Sequence, residues 1–215
     1  GTLFTKNNLP SWALIARLSM KSDDSLEHKE LLKYQGFIPE PVYGNQLAIN
    51  GIFGVDFEGK IKIDFEEKEV VFPDGEKQVL LKPKYSLTDL NYGDLHKDVN
   101  ISYRIAQTLN GMGLIALISD EDILANEDVD DKDSDGISGR YTWKASVAFL
   151  KEQIANAASN DIGLTTSVNP SENCTDFQEA CKNAPKAKDS IDLPDERLDS
   201  IAFYLKNIKS YTPKN

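Results

Sequence analysis

Residues 58–85 confine this chain more than any other stretch. Ile61, Ile63 and Phe65 alternate with charged residues, Val70-Val71-Phe72 runs into Pro73-Asp74-Gly75, and Val79-Leu80-Leu81-Lys82-Pro83 follows. A period of two puts the apolar side chains on one face of a strand. Pro presets φ and Gly accepts positive φ, so the tripeptide reads as a turn and the flanking runs pair as an antiparallel ribbon with one wet face. Its many charges blunt the exposed edges.

Around this ribbon the pattern changes. Leu14 to Ser19 reads as a buried strand or a short helix. Ser22 to Lys33 is polar and permits helix, and residues 37–42 are extended because Pro39 and Pro41 forbid helix before them. From Asn100 the spacing of Tyr103, Ala106, Leu109 and Leu117 predicts helix, weakened at Gly111 and Gly113. Two glycines there mean close approach of another backbone or a cofactor, tight helix packing, or a break. Ser119 caps a short acidic helix through Leu124. Trp143, Val147, Leu150, Ile154 and Ala158 share one face of a helix over 142–158, ended by Asp161-Ile162-Gly163. A last helix starts near Pro194, with Leu198, Ile201, Ala202, Leu205 and Ile208 as its apolar stripe.

The expectation is an α+β fold: a mainly helical body with an antiparallel β-ribbon insert. It is one domain over 1–215, with an N-terminal mixed segment (1–57), the ribbon (58–85) and a helical body (100–208) that contains an acidic loop (128–140).

Composition narrows the function classes. The chain has 215 residues, 40% hydrophobic and 27% charged, values ordinary for a globular protein. A formal charge of −11 disfavours a nucleic-acid or anionic-membrane surface, and no apolar run reaches the length of a membrane span. A stand-alone hydrolase is disfavoured by the lack of a nucleophile elbow or a metal-ligating histidine pair. The two cysteines, Cys174 and Cys181, suit a local disulfide in an oxidising compartment. The same spacing also places two free thiols on one helical face.

The acidic loop carries Asp131, Asp133 and Asp135, with Gly136 directly after. Alternating carboxylates repel unless a cation sits among them, and the glycine lets the chain wrap around it. Counting Asp131 as position one of a calcium loop, Asp133 and Asp135 are three and five and the Ile137 carbonyl is seven. Position twelve is Thr142, which cannot chelate through two oxygens, so Asp128 or Asp130 would have to complete the shell. Calcium would brace the loop rather than do chemistry. The competing reading is a solvated acidic turn ahead of the Trp143 helix.

Several ordered blocks resemble one family. They are Tyr43-Gly-Asn-Gln-Leu47, Glu58-Gly59, Pro73-Asp-Gly75, Leu87 to Val99, Ser102-Tyr-Arg-Ile-Ala106 and Gly111-Met-Gly-Leu-Ile115. The order continues with Asp133 to Arg140, Trp143-Lys-Ala145, Asp161 to Thr165, Glu172 to Thr175 and Phe203-Tyr-Leu205. Over residues 40–208 the set resembles the bacterial di-haem oxidoreductases, peroxidase-like proteins and thiol oxidoreductases related to MauG and di-haem cytochrome c peroxidases. Family members carry Cys-x-x-Cys-His haem-attachment motifs on both sides of this region. This chain contains neither, so it cannot attach haem c through that motif. Ala116 stands where the family usually has a glutamate suited to acid–base work on peroxide.

The resemblance implies a haem-less central domain of a periplasmic di-haem c-type oxidoreductase, inactive alone. Its partners would be haem-bearing segments of the same protein or a partner cytochrome. His96 and Tyr103 become candidate distal haem contacts or ligands, Arg104 a propionate partner, and Trp143 an electron relay between haems. The plain alternatives are a loop histidine, core aromatics and an internal ion-pair arginine. A second reading of the whole chain is a binding or scaffold domain braced by calcium and the disulfide, without redox activity.

Overall fold

A computed structural model describes residues 14–126, 139–142 and 145–210. The element order is β1 (Leu14–Met20), α1 (Leu26–Gln35), β2 (Lys60–Val71), β3 (Lys77–Thr88), β4 (Val99–Ile105), α2 (Met112–Ala116), α3 (Asp120–Leu124), α4 (Leu150–Ile162), α5 (Glu179–Lys182) and α6 (Asp195–Asn207). Among the described residues 29% are helical and 25% lie in strands, in two small antiparallel sheets. The expected mainly helical body is therefore corrected to an even α+β mixture. The chain divides into two compact units.

The first unit comprises Gly1–Lys21, Pro39–Gln107 and Thr175–Gln178. Its ribbon matches the alternation in the sequence: β2 and β3 pair from Lys60 opposite Thr88 to Val71 opposite Lys77. Gly75, at φ +88°, supplies the turn that Pro73-Asp74-Gly75 demands. The second sheet was not expected. Residues from Asn100 form strand β4 instead of helix, paired with β1 from Leu14 opposite Ile105 to Met20 opposite Val99. Val99, Ile101, Tyr103 and Ile105 alternate, and that period of two wins over the three-residue spacing of Tyr103, Ala106 and Leu109. Leu14, Ala16, Leu18, Tyr43, Leu47 and Ile61 form the buried core, with Leu87, Leu90, Ile101 and Tyr103 packed against it.

The second unit comprises Ser22–Ile38, Thr108–Cys174 and Glu179–Asn215. α1 is held by its ends: the Ser25 hydroxyl accepts from His28 N–H, and Gly36 closes the helix at φ +71°. Ser119 caps α3 in the same way, as its sequence predicts. α4 begins later than the stripe from Trp143 implies. Thr142 and Ala145 adopt φ of +75° and +50°, which no helix accommodates, so Val147 reaches the core through a bridge to Tyr141 rather than from a helix. Leu150, Ile154 and Ala155 of α4 pack with Leu198, Ala202 and Leu205 of α6. Pro194 opens α6, where its missing N–H costs nothing.

Candidate functional site

Residues 89–98 join β3 to β4 and carry His96. Many hydrogen bonds fix this loop. Asn91 N–H donates to the Glu58 carbonyl (3.0 Å), and its side-chain amide donates to the Phe57 carbonyl (2.7 Å). The Tyr43 hydroxyl accepts from Tyr92 N–H (3.1 Å) and donates to the Gly93 carbonyl (2.6 Å). The Tyr92 hydroxyl donates to the Asp56 carbonyl (2.9 Å). Burial pushes both phenols above their ordinary range, which keeps them protonated as donors.

Glu40 ties the His96 end. It is 1% exposed, yet its carboxylate is well supplied with donors. Oε2 accepts from Val42 and Tyr43 N–H, both at 2.7 Å, and Oε1 accepts from His96 N–H at 2.8 Å. A buried carboxylate with three N–H partners is compensated rather than stranded. The His96 carbonyl accepts from Val99 N–H (3.1 Å). Its ring Nδ1 accepts from Asp98 N–H (3.2 Å) and lies 4.0 Å from Asp98 Oδ2. A ring nitrogen that accepts carries no hydrogen, so the neutral imidazole holds its hydrogen on Nε2. The side chain is 43% exposed. His96 thus presents an N–H donor at the surface. A histidine that ligates metal through Nε2 donates its Nδ1–H to a second group. This ring does the reverse, so its geometry fits a donor to a ligand oxygen better than an iron ligand.

A second buried carboxyl, Glu58, lies in the same unit and is 8% exposed. Its Oε2 accepts from Ala48 N–H (2.6 Å), and its Oε1 accepts from the Gln178 amide. Gln178 is fully buried, its own Oε1 accepting from Thr175 N–H (2.9 Å), while the Thr175 hydroxyl donates to the Val42 carbonyl (2.6 Å). Loss of water raises the Glu58 carboxyl to about 7, beyond what its two donors restore, and the charge of Glu40 acts in the same direction. Apart from the block Glu58-Gly59, nothing in the sequence distinguishes Glu40 or Gln178 from surface residues of the same types, and nothing marks Glu58 as buried.

The other expected site residues are dispersed. Tyr103 and Arg104 are neighbours on β4 and so face opposite sides of the sheet. Tyr103 packs on the core and stacks on Tyr85, ring centroids 4.5 Å apart, while Arg104 donates from Nε to the Ser102 hydroxyl (3.2 Å). Trp143 and the acidic-loop positions Asp131, Asp133, Asp135 and Ile137 lie outside the described residues. Among the described residues no group of acidic, histidine and cysteine side chains is arranged to hold a metal ion. Cys174 and Cys181 form the expected disulfide, with Cα atoms 5.9 Å apart. No helix among the described residues is long and apolar enough to cross a membrane.

In the second unit, α2 and the end of α6 border an open groove of about 510 Å³. Leu114, Ala116, Leu117 and Ile208 make it apolar, and Lys206 and Lys209 stand along it. Each glycine of the pair has its own cause: Gly111 takes φ +87° at the start of α2, and a Cβ on Gly113 would sit 2.0 Å from the Lys206 carbonyl oxygen, so only glycine lets α2 approach α6.

The family model described as "Di-haem oxidoreductase, putative peroxidase" matches residues 10–155 of the chain. No curated protein matches it, and no solved structure matches it.

Proposed function

Because the chain belongs to the di-haem oxidoreductase family, we propose that it serves as the haem-less central domain of a periplasmic di-haem c-type oxidoreductase of the peroxidase or thiol oxidoreductase kind. Haem, when bound, supplies one-electron chemistry. This chain supplies contacts to it and has no activity alone. The family match over residues 10–155 is the observation that carries the reading.

Two features support the fit to haem, each within its own unit. His96 holds an Nε2–H donor at the surface on a loop that Glu40 and Tyr43 immobilise, which suits an oxygen of a haem carboxylate or of a distal ligand. The groove beside Ala116 combines an apolar wall with two lysines, as an amphipathic dicarboxylate requires. Arg104 serves as a propionate partner. Tyr103, packed in the core, acts as wall rather than ligand. Trp143 keeps its role as electron relay, and calcium held by Asp131, Asp133, Asp135 and the Ile137 carbonyl braces the acidic loop. The periplasmic assignment rests on the Cys174–Cys181 disulfide, because such bonds persist in oxidising compartments.

The test uses the full-length protein that carries this domain, purified from its own host. It is mixed with hydrogen peroxide and a reduced one-electron donor, and donor oxidation is followed. Slow peroxide-dependent oxidation that speeds up in an Ala116→Glu variant supports a peroxidase whose acid–base group is missing. Donor oxidation that ignores peroxide in both proteins overturns the peroxidase reading.

A further inference from the structure

The hydrogen bonds around Glu40 go beyond holding a turn. This carboxylate is the point where the 40–44 turn meets the His96 loop, through Oε2 to Val42 and Tyr43 N–H and through Oε1 to His96 N–H. His96 is then clamped three times over three residues: its N–H to Glu40, its carbonyl to Val99 N–H and its Nδ1 to Asp98 N–H. Fixing His96 N and O fixes where the Asp98 amide points, and that amide decides which ring nitrogen keeps the hydrogen. We infer that Glu40 is a positioning residue that holds the His96 imidazole in its Nε2–H form, so that it donates outward to a carboxylate ligand. This deepens the reading of His96 as a haem contact and rests on it for the identity of that carboxylate, a propionate.

The competing ring geometry is within reach, since Asp98 Oδ2 lies 4.0 Å from Nδ1. If the Asp98 amide swings away, Nδ1–H turns to that carboxylate, Nε2 becomes an acceptor, and a carboxylate ligand meets lone pair against lone pair. Glu40 therefore acts on specificity: with it the loop selects an anionic oxygen, and without it a hydrogen-bond donor or a metal.

The test reads the imidazole nitrogens by long-range ¹H–¹⁵N correlation in the haem-free chain, at a pH where His96 is neutral. The wild type is expected to show the Nε2–H pattern for His96. Glu40→Gln removes one acceptor oxygen and is expected to lower the ratio of Nε2–H to Nδ1–H by about tenfold. Glu58→Gln is the control, because Glu58 is also buried but bonds Ala48 and Gln178 instead of His96. It is expected to keep the wild-type pattern. An unchanged ratio in Glu40→Gln overturns the inference, as does an equal loss in Glu58→Gln, which would mean general loosening. Should Glu40→Gln fail to fold, Glu40→Asp decides. It keeps the charge but shortens the reach to His96, so a mixed pattern supports the inference and a wild-type pattern refutes it. The readout needs no haem, so its failure and a failure of the haem assignment are separate results.

Discussion

Raising the pH from 5 to 8 should destabilise the first unit, because Glu58 must give up its proton where water barely reaches. In the folded chain the carboxyl titrates at about 7, against 4.5 for the ordinary glutamate. Between those values the native state holds a proton that the unfolded state has released, so stability falls as pH rises through that window and levels off above it. At about 1.4 kcal/mol per pH unit, the ceiling is about 3 kcal/mol. The carboxylates held below their usual range act elsewhere. Asp23, Asp192 and Asp195 are stabilised by hydrogen bonds from Ser25, Thr165 and Ser167, and their contributions are lost only on acidification below about 4. Among the described carboxylates, Glu58 is the one whose shift falls in the window above pH 5. Denaturant unfolding at several pH values gives the slope, and hydrogen exchange at the Ala48 amide, which donates to Glu58, reports it locally. Glu58→Gln should flatten the slope. It should also be about 1–2 kcal/mol less stable than wild type at pH 5, because its amide sets N–H against N–H at Ala48 or Gln178. Stability that is constant or rises from pH 5 to 8, or a slope that survives in Glu58→Gln, would refute the reasoning.

Three further outcomes are expected. Gly113→Ala forces a methyl group onto the Lys206 carbonyl 2.0 Å away and should cost about 1–3 kcal/mol in thermal unfolding of the second unit; an unchanged melting temperature would show that α2 and α6 part freely. Reducing Cys174–Cys181 reopens a short loop and should cost about 2–3 kcal/mol, while two free thiols in non-reducing mass analysis of native-source protein would count against the periplasm. Chelator should lower the melting temperature if calcium braces the acidic loop, and a temperature that does not move argues for an empty loop.

Elements governed by local chemistry were legible from sequence. The ribbon followed from alternation and a Pro-Asp-Gly turn, α3 from a capping serine, and the start of α6 from a proline ahead of two acids. Elements governed by distant partners were not. The run from Val99 supports either period, and only β1, far earlier in the chain, decides for strand. The stripe from Trp143 has helical spacing, but φ is positive at Thr142 and Ala145, and α4 begins only at Leu150. The burial of Glu40, Glu58 and Gln178 was invisible, although Glu58 stood in a family block, because acidic and amide residues are ordinarily solvated. What buries them is pairing across 56 residues to His96 and 120 residues between Gln178 and Glu58. His96 itself was found through the family blocks, whereas its donor polarity needed the Asp98 amide to be placed.

The most direct check is the visible spectrum of the full-length protein of which we propose this chain is the central domain, purified from its own host, with haem counted by the pyridine haemochrome method. A Soret band, a c-type α band and two haems per protein are the expected result. A preparation at full yield with no Soret absorption would contradict the account, leaving a disulfide-braced domain whose His96 donor serves some other carboxylate.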